Sequence, residues 1–171
     1  MTADEPYEVS LAAVLKLERD GVAFFRRANA VAADPRVRQL FERLARSREE
    51  SARLLEDAAS KAGIHITPRG VANPYPFEAV AQVECYACGY LAEEIPSSCP
   101  QCGAARYSFE KEFTKATVWG TALSSGSAVA QAVEDAIPLA GGDLRVALED
   151  LLRRERALLK EAKTSTSKHR R

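Results

Sequence analysis

The stretch LARSREESARLL, residues 44–55, decides how the chain folds. Taken as one amphipathic helix, it belongs to a seam through Phe41, Leu44, Arg48, Ser51, Leu55 and Ala58, spaced by alternating steps of three and four. Arg48 and Ser51 are polar residues at inward positions. An inward arginine calls for a carboxylate, because its fixed charge and planar fork of donors match one. The helix must therefore pack against elements that carry acids on their own inward stripes.

Two such stripes exist. Within residues 8–32, Leu11, Leu15, Glu18, Val22 and Phe25 follow the same spacing, so Glu18 is a carboxylate on an apolar face. In the last helical stretch, Leu144, Leu148, Leu151, Glu155, Leu158 and Ala162 repeat the arrangement. A buried, unpaired carboxylate is costly or takes up a proton, so Glu18 needs a partner. The expected arrangement is a salt bridge from Arg48 to Glu18, shared with Glu155. The alternative is that Arg48 snorkels outward to a surface glutamate.

The rest of the chain organises around these helices. Asp34 can cap a second helix with Pro35 at its first position, and Gly63 can stop it after Ala62. Residues 1–62 thus predict an antiparallel hairpin. Residues 63–80, with three prolines and two glycines, predict an extended linker. Residues 81–107 hold every cysteine, and residues 108–163 predict a second helical half. Within that half YSFEKEFTKATVWGTAL reads as helical, SSGS at 124–127 offers a break and a cap, and Asp143 starts a last helix to about Lys163. Residues 164–171, TSTSKHRR, read as a frayed basic tail. DPRVRQLFERLARSREESARLL and DLRVALEDLLRRERALLKEA form a faint repeat. The predicted fold class is mainly α: an antiparallel four-helix bundle with a small β module inserted between its second and third helices.

Composition excludes several roles. With 24 basic and 24 acidic residues, nothing global points to nucleic acid or an anionic membrane surface. The uncharged run from Ala116 to Val133 is too rich in Ser, Thr, Gly and Gln for a spanning helix. MTADEPYEVS lacks the basic-then-apolar pattern of a secretory signal, so a cytoplasmic protein is expected. No phosphate-binding glycine loop or nucleophile elbow is visible, and His65 and His169 are the only histidines.

The chemistry concentrates in ECYACGYLAEEIPSSCPQCGAARYSF. Cys85 and Cys88 form one C-x-x-C pair, Cys99 and Cys102 another, with ten residues between. A two-residue spacer lets both sulfurs of a pair face one ion, and Gly89 and Gly103 permit the tight knuckle. Four thiolates make a tetrahedral site for one zinc or one iron: zinc would make the module structural or adhesive, iron a one-electron carrier. Phe109, Phe113 and Trp119 follow at spacings that suit packing of this module on the helices.

That segment resembles the short rubredoxin-type domain of rubrerythrins, with Gly-Tyr after the first pair and Cys-Pro opening the second. The first helical half is similar to the ferritin-like pattern of a glutamate seven residues before an aromatic, here Glu18 and Phe25, followed by a helix bearing Glu-x-x-His. The resemblance implies a ferritin-like bundle, one rubredoxin-type iron passing electrons, and a redox partner or larger oxidoreductase. It also implies a homodimer through long helices. At the Glu-x-x-His positions this chain has Arg48 and Ser51, and Leu158 stands three residues after Glu155. A diiron centre needs about four carboxylates and two imidazoles. Glu18, Arg48, Ser51 and Glu155 therefore read as vestigial diiron positions, with no autonomous enzyme activity expected. A peroxide-reducing diiron enzyme would need other ligands, such as Glu49, Glu50, Glu134 or Asp135.

Overall fold

The structure, a computed structural model, describes residues 6–32, 34–109 and 113–168. Helix α1 spans Pro6–Val31 and α2 spans Pro35–Lys61. The short turn between them works as the residues predict: the Asp34 side chain accepts from the Arg36 amide at 2.8 Å, and Pro35 occupies the first turn. At the far end the Ala62 amide donates to the Ala58 carbonyl, and Gly63 leaves the helix at φ +73°. An irregular segment leads to the single turn α3, Glu78–Ala81. Strands β1, Val83–Glu84, and β2, Leu91–Ala92, then pair antiparallel, Val83 opposite Ala92 and Glu84 opposite Leu91. A 3-10 turn at Arg106–Phe109 closes the cysteine segment. Helix α4 covers Lys115–Ala136 and α5 covers Gly142–Lys168.

The four long helices pack α1 on α2 and α4 on α5, with α1 also against α4 and α2 against α5. Their directions follow from which halves share a core. One apolar cluster joins Leu11 and Leu15 of α1 to Leu55 of α2, Val133 of α4 and Leu148 of α5. A second joins Phe24 and Phe25 to Phe41, Trp119 and Ala162. Helices α1 and α5 therefore run one way, and α2 and α4 the other. Because α2 and α4 share a direction, the chain between them must travel the length of the helices. It does so with Ile64, Ile66 and Val71 against the first cluster and Tyr75 and Val80 in the second. The cysteine segment sits beyond, sharing a third cluster of Val31, Val83, Cys85, Cys99 and Phe109 with the end of α1.

Three expectations are corrected. SSGS does not break α4, which runs through it. The hydroxyls of Ser124 and Ser125 donate to the Thr121 carbonyl and that of Ser127 to the Leu123 carbonyl, so each is satisfied on the helix itself. Helix α4 starts at Lys115, where Thr114 accepts from the Thr117 amide at 3.1 Å; Phe109 lies in the 3-10 turn and serves the cysteine segment's core, while Glu110, Lys111 and Glu112 lie outside the described residues. The C-terminal stretch is helical to Lys168, with Thr164, Thr166 and Ser167 back-bonded to carbonyls of the preceding turn. His169, Arg170 and Arg171 lie outside the described residues. No described helix is long and apolar enough to cross a membrane.

Candidate metal centre

The two cysteine pairs fold as near copies of each other. In the first, the Cys85 amide donates to the Tyr90 carbonyl and the Gly89 amide to the Cys85 carbonyl, both at 2.8 Å. In the second, the Cys99 amide donates to the Ala104 carbonyl at 2.8 Å and the Gly103 amide to the Cys99 carbonyl at 2.9 Å. Each turn requires positive φ after its second cysteine, +80° at Gly89 and +75° at Gly103, which is why glycine stands there. The amides of Tyr90 and Ala104 then point at the sulfurs of Cys88 and Cys102, and those of Gln101 and Cys102 at Cys99.

These knuckles bring all four sulfurs within 4.8 Å of one another. The Sγ atoms of Cys88 and Cys99 are 3.6 Å apart and those of Cys85 and Cys102 are 3.8 Å apart. A tetrahedral ion with metal–sulfur bonds of about 2.3 Å sets its sulfurs about 3.8 Å from one another. The four cysteines are thus positioned to hold one metal ion. The Tyr90 amide favours the thiolate at Cys88, but burial and the three neighbouring sulfurs push that thiol up to about 12. Burial acts against ionisation of Cys99 too, yet its backbone amides and neighbouring sulfurs outweigh it and bring the thiol down to about 7. Four sulfurs so crowded ionise together only around a cation. Cys85 and Cys99 are buried, Cys88 is half-buried and Cys102 is exposed, so one edge of the set reaches the surface.

A second constellation lies between the two helical apolar clusters, where all four long helices contribute one polar layer. Glu18 comes from α1, Arg48 and Ser51 from α2, Ser125 from α4 and Glu155 from α5, and all five are buried. The Arg48 fork closes on Glu155, Nη1 to Oε2 at 2.5 Å and Nη2 to Oε1 at 2.9 Å, while Glu18 Oε2 stands 3.5 Å from Nη1. This reverses the expected order of partners: Glu155 takes the bidentate position and Glu18 the outer one. Burial therefore dominates at Glu18 and raises its carboxyl to about 7, with Arg48 offsetting only part and Glu155 adding to the rise. Burial also opposes the charge on Arg48, but Tyr75, Glu18 and Glu155 outweigh it and leave its pKa raised.

Glu49, Glu50, Glu134 and Asp135 do not reach this layer. Glu49 pairs with Arg26 and Arg53, Glu50 with Arg154, and Glu134 with Arg156, while Asp135 accepts from Gln131. Val133 and Ala136 hold the inward face of α4 instead. His65 is exposed on the irregular segment.

Tyr75 is the residue that periodicity misses, since it lies in a segment without a period. Its ring stacks on Phe24 at 5.3 Å between centroids and meets Phe25 edge-on at 5.5 Å. Its hydroxyl enters the polar layer beside Ser125, whose own hydroxyl is donated to Thr121. Neither that hydroxyl nor Arg48 Nε makes a hydrogen bond among the described residues, and burial pushes the phenol up to about 12. The signal in the sequence is Pro74-Tyr75-Pro76, an aromatic held between two residues of fixed φ.

Compared with known protein families, curated proteins and solved structures, the chain matches none.

Proposed function

We propose that this chain is a rubrerythrin-like electron carrier, with one iron held by Cys85, Cys88, Cys99 and Cys102. In this reading the long helices form a ferritin-like four-helix bundle and the cysteine module is inserted at its long crossover. The observation that carries the proposal is the sulfur cage itself, two buried and two surface-reaching thiols within 4.8 Å of one another. Iron in such a cage alternates between ferric and ferrous without changing its ligands, and so moves one electron. The residues supply the rest. Cys85 and Cys99 sit in an apolar cluster that keeps water from one side, the Tyr90 and Ala104 amides stabilise negative charge on sulfur, and exposed Cys102 offers a partner a short path.

The helical body has no redox role here. Arg48 occupies a position where the resemblance would place a metal ligand, and its charge repels a dication while it grips Glu155. A second reading is favoured by Tyr86, Leu91 and Tyr107, large side chains exposed on the same module. With zinc in the cage, the module would be a non-enzymatic ribbon that docks a larger oxidoreductase or compartment.

Metal analysis of natively produced protein, with a count per chain and a visible spectrum, tests both. One iron and a red oxidised form support the carrier. One zinc and a colourless protein support the adaptor. Three metals per chain would overturn the reading of Glu18, Arg48, Ser51 and Glu155 as a vestigial centre.

A further inference from the structure

Tyr75 lies ten positions before Cys85, on the segment that joins α2 to the cysteine module. Between Lys61 and Glu78 this segment contains neither helix nor strand; the Arg69 amide ties it to the Ala12 carbonyl of α1 at 3.3 Å, and Tyr75 lies between that tie and the cysteine module. The upstream end is the close of α2, where the Ile64 amide donates to the Ala59 carbonyl at 2.8 Å. The downstream end is held on α1 just before it enters the module. Phe77 meets Phe24 edge-on at 5.6 Å, Arg27 Nε donates to the Val80 carbonyl at 3.0 Å, and β1 then pairs with β2 and delivers Cys85.

The module has little of its own to keep it folded. Its regular structure is two strands of two residues, one isolated bridge between Ser98 and Ala105, and one 3-10 turn. So small a unit needs a metal to persist, and the metal's binding free energy is then folding free energy. A metal there would order β1, which follows α3 directly on the segment that carries Tyr75.

The seat of Tyr75 is specific. Gly21 of α1 leaves the space into which the phenol fits, and a Cβ there would collide with its hydroxyl and stand 2.9 Å from Cζ. Arg48 Cγ lies 3.1 Å from the same point, so the ring covers the arginine of the polar layer. Phe41 and Phe113 carry the packing onward, edge-on at 5.3 Å, and Phe113 packs against both the helical cluster and the cysteine cluster.

We infer that metal binding at the four cysteines is coupled to the seating of Tyr75 over Glu18, Arg48 and Glu155, so that metal loss unseats the phenol and opens this layer to solvent. The inference rests on the metal-binding reading above. Coupling is reciprocal, so weakening the seat lowers metal affinity by the factor that metal adds to seating.

Tyrosine nitration by tetranitromethane, mapped by peptide mass spectrometry on the full chain, reads the seat directly. Tyr86 and Tyr107 are 66% and 73% exposed and serve as references in the same sample. With zinc bound, Tyr75 is expected to stay unmodified while both references react; after chelation its nitration should rise about tenfold. In zinc competition against a chromophoric chelator, Tyr75→Ala should bind about tenfold more weakly, and Tyr75→Phe, which keeps the ring, close to wild type. Should Tyr75→Ala fail to fold, nitration of the wild-type chain decides alone. Protection of Tyr75 that survives verified zinc removal overturns the coupling and leaves the metal site standing, as does a folded Tyr75→Ala with wild-type zinc affinity. A chain that binds neither zinc nor iron overturns both.

Discussion

Arg48 governs the polar layer because, among the described residues, it is the buried cation between two acids. Replacing it with methionine leaves Glu155 and Glu18 buried without their partner, and breaking such a pair costs about 3–5 kcal/mol. At about 2–4 °C per kcal/mol for a chain of this size, Arg48→Met should lower the melting temperature by roughly 10 °C. A change within error would place the fork outside the core. Glu18 gives a pH signature with a defined sign. Its carboxyl is raised from 4.5 to about 7 in the folded chain, so across that window the native state keeps a proton that the unfolded state has released. Stability contributed by this group is full below about 4.5, falls as pH rises through 7, and is lost above it, by about 3 kcal/mol at most. Arg48, Glu155, Tyr75 and Arg154 face this carboxyl in the wild type and in Glu18→Gln alike, so the substitution should flatten urea midpoints between pH 5 and 8 relative to wild type. Equal slopes would sink the assignment. The inward placement of these residues was legible from their three-and-four spacing, because helical geometry alone decides which way a position faces. Which acid takes the fork was not, since that depends on how far α5 stands from α2.

At the scale of elements, α4 shows how a helix is chosen for closeness. A Cβ on Gly126 would stand 2.5 Å from Glu155 Oε1 and 2.9 Å from Leu159 Cδ2, whereas one on Gly120 would meet nothing within 4 Å. Alanine should therefore act oppositely at two glycines of one helix. Gly120→Ala should stabilise by about 0.5–1 kcal/mol through helix propensity. Gly126→Ala should destabilise by about 1–3 kcal/mol, because α4 must back away from α5 or Glu155 must leave Arg48. Denaturant midpoints of the two variants check this, and a shared sign would refute the close approach. The same residues explain where sequence reading failed. Ser and Gly in series weaken helix propensity, and nothing local reveals that Glu155 requires a small neighbour. The polar stretch after Lys163 likewise shows no apolar period in the sequence, yet its hydroxyls close onto carbonyls one turn back. Tyr75 was hidden for a third reason, since an irregular segment has no period to show which side chain turns inward. The cysteine pairs were legible outright, because a C-x-x-C knuckle followed by glycine is a local structure that needs no distant partner.

At the scale of the molecule, the three apolar clusters divide the work. The first is made from the four long helices, and the second adds to them Tyr75 and Val80 from the crossover. The third belongs to the cysteine module with Val31 of α1. Interhelical ion pairs between Arg43 and Glu161, Arg154 and Glu50, and Arg156 and Glu134 tie the helices without involving the module. Chelation should therefore not unfold the molecule as it unfolds a zinc finger, in which metal supports the only core. The third cluster should melt, since its Cys85 and Cys99 lose the ion that gathers them. The second should lose its cover of Tyr75 and Val80, while the first keeps every one of its members. The expected result is retained far-UV helical signal with a main transition several degrees lower, at about 2–4 °C per kcal/mol of lost burial. Hydrogen exchange should rise across residues 70–109 and stay slow in the halves of α1 and α2 that carry Leu15 and Leu55. Loss of the helical signal on chelation would show instead that the module holds the helices together, and would reverse the order of dependence argued from these clusters.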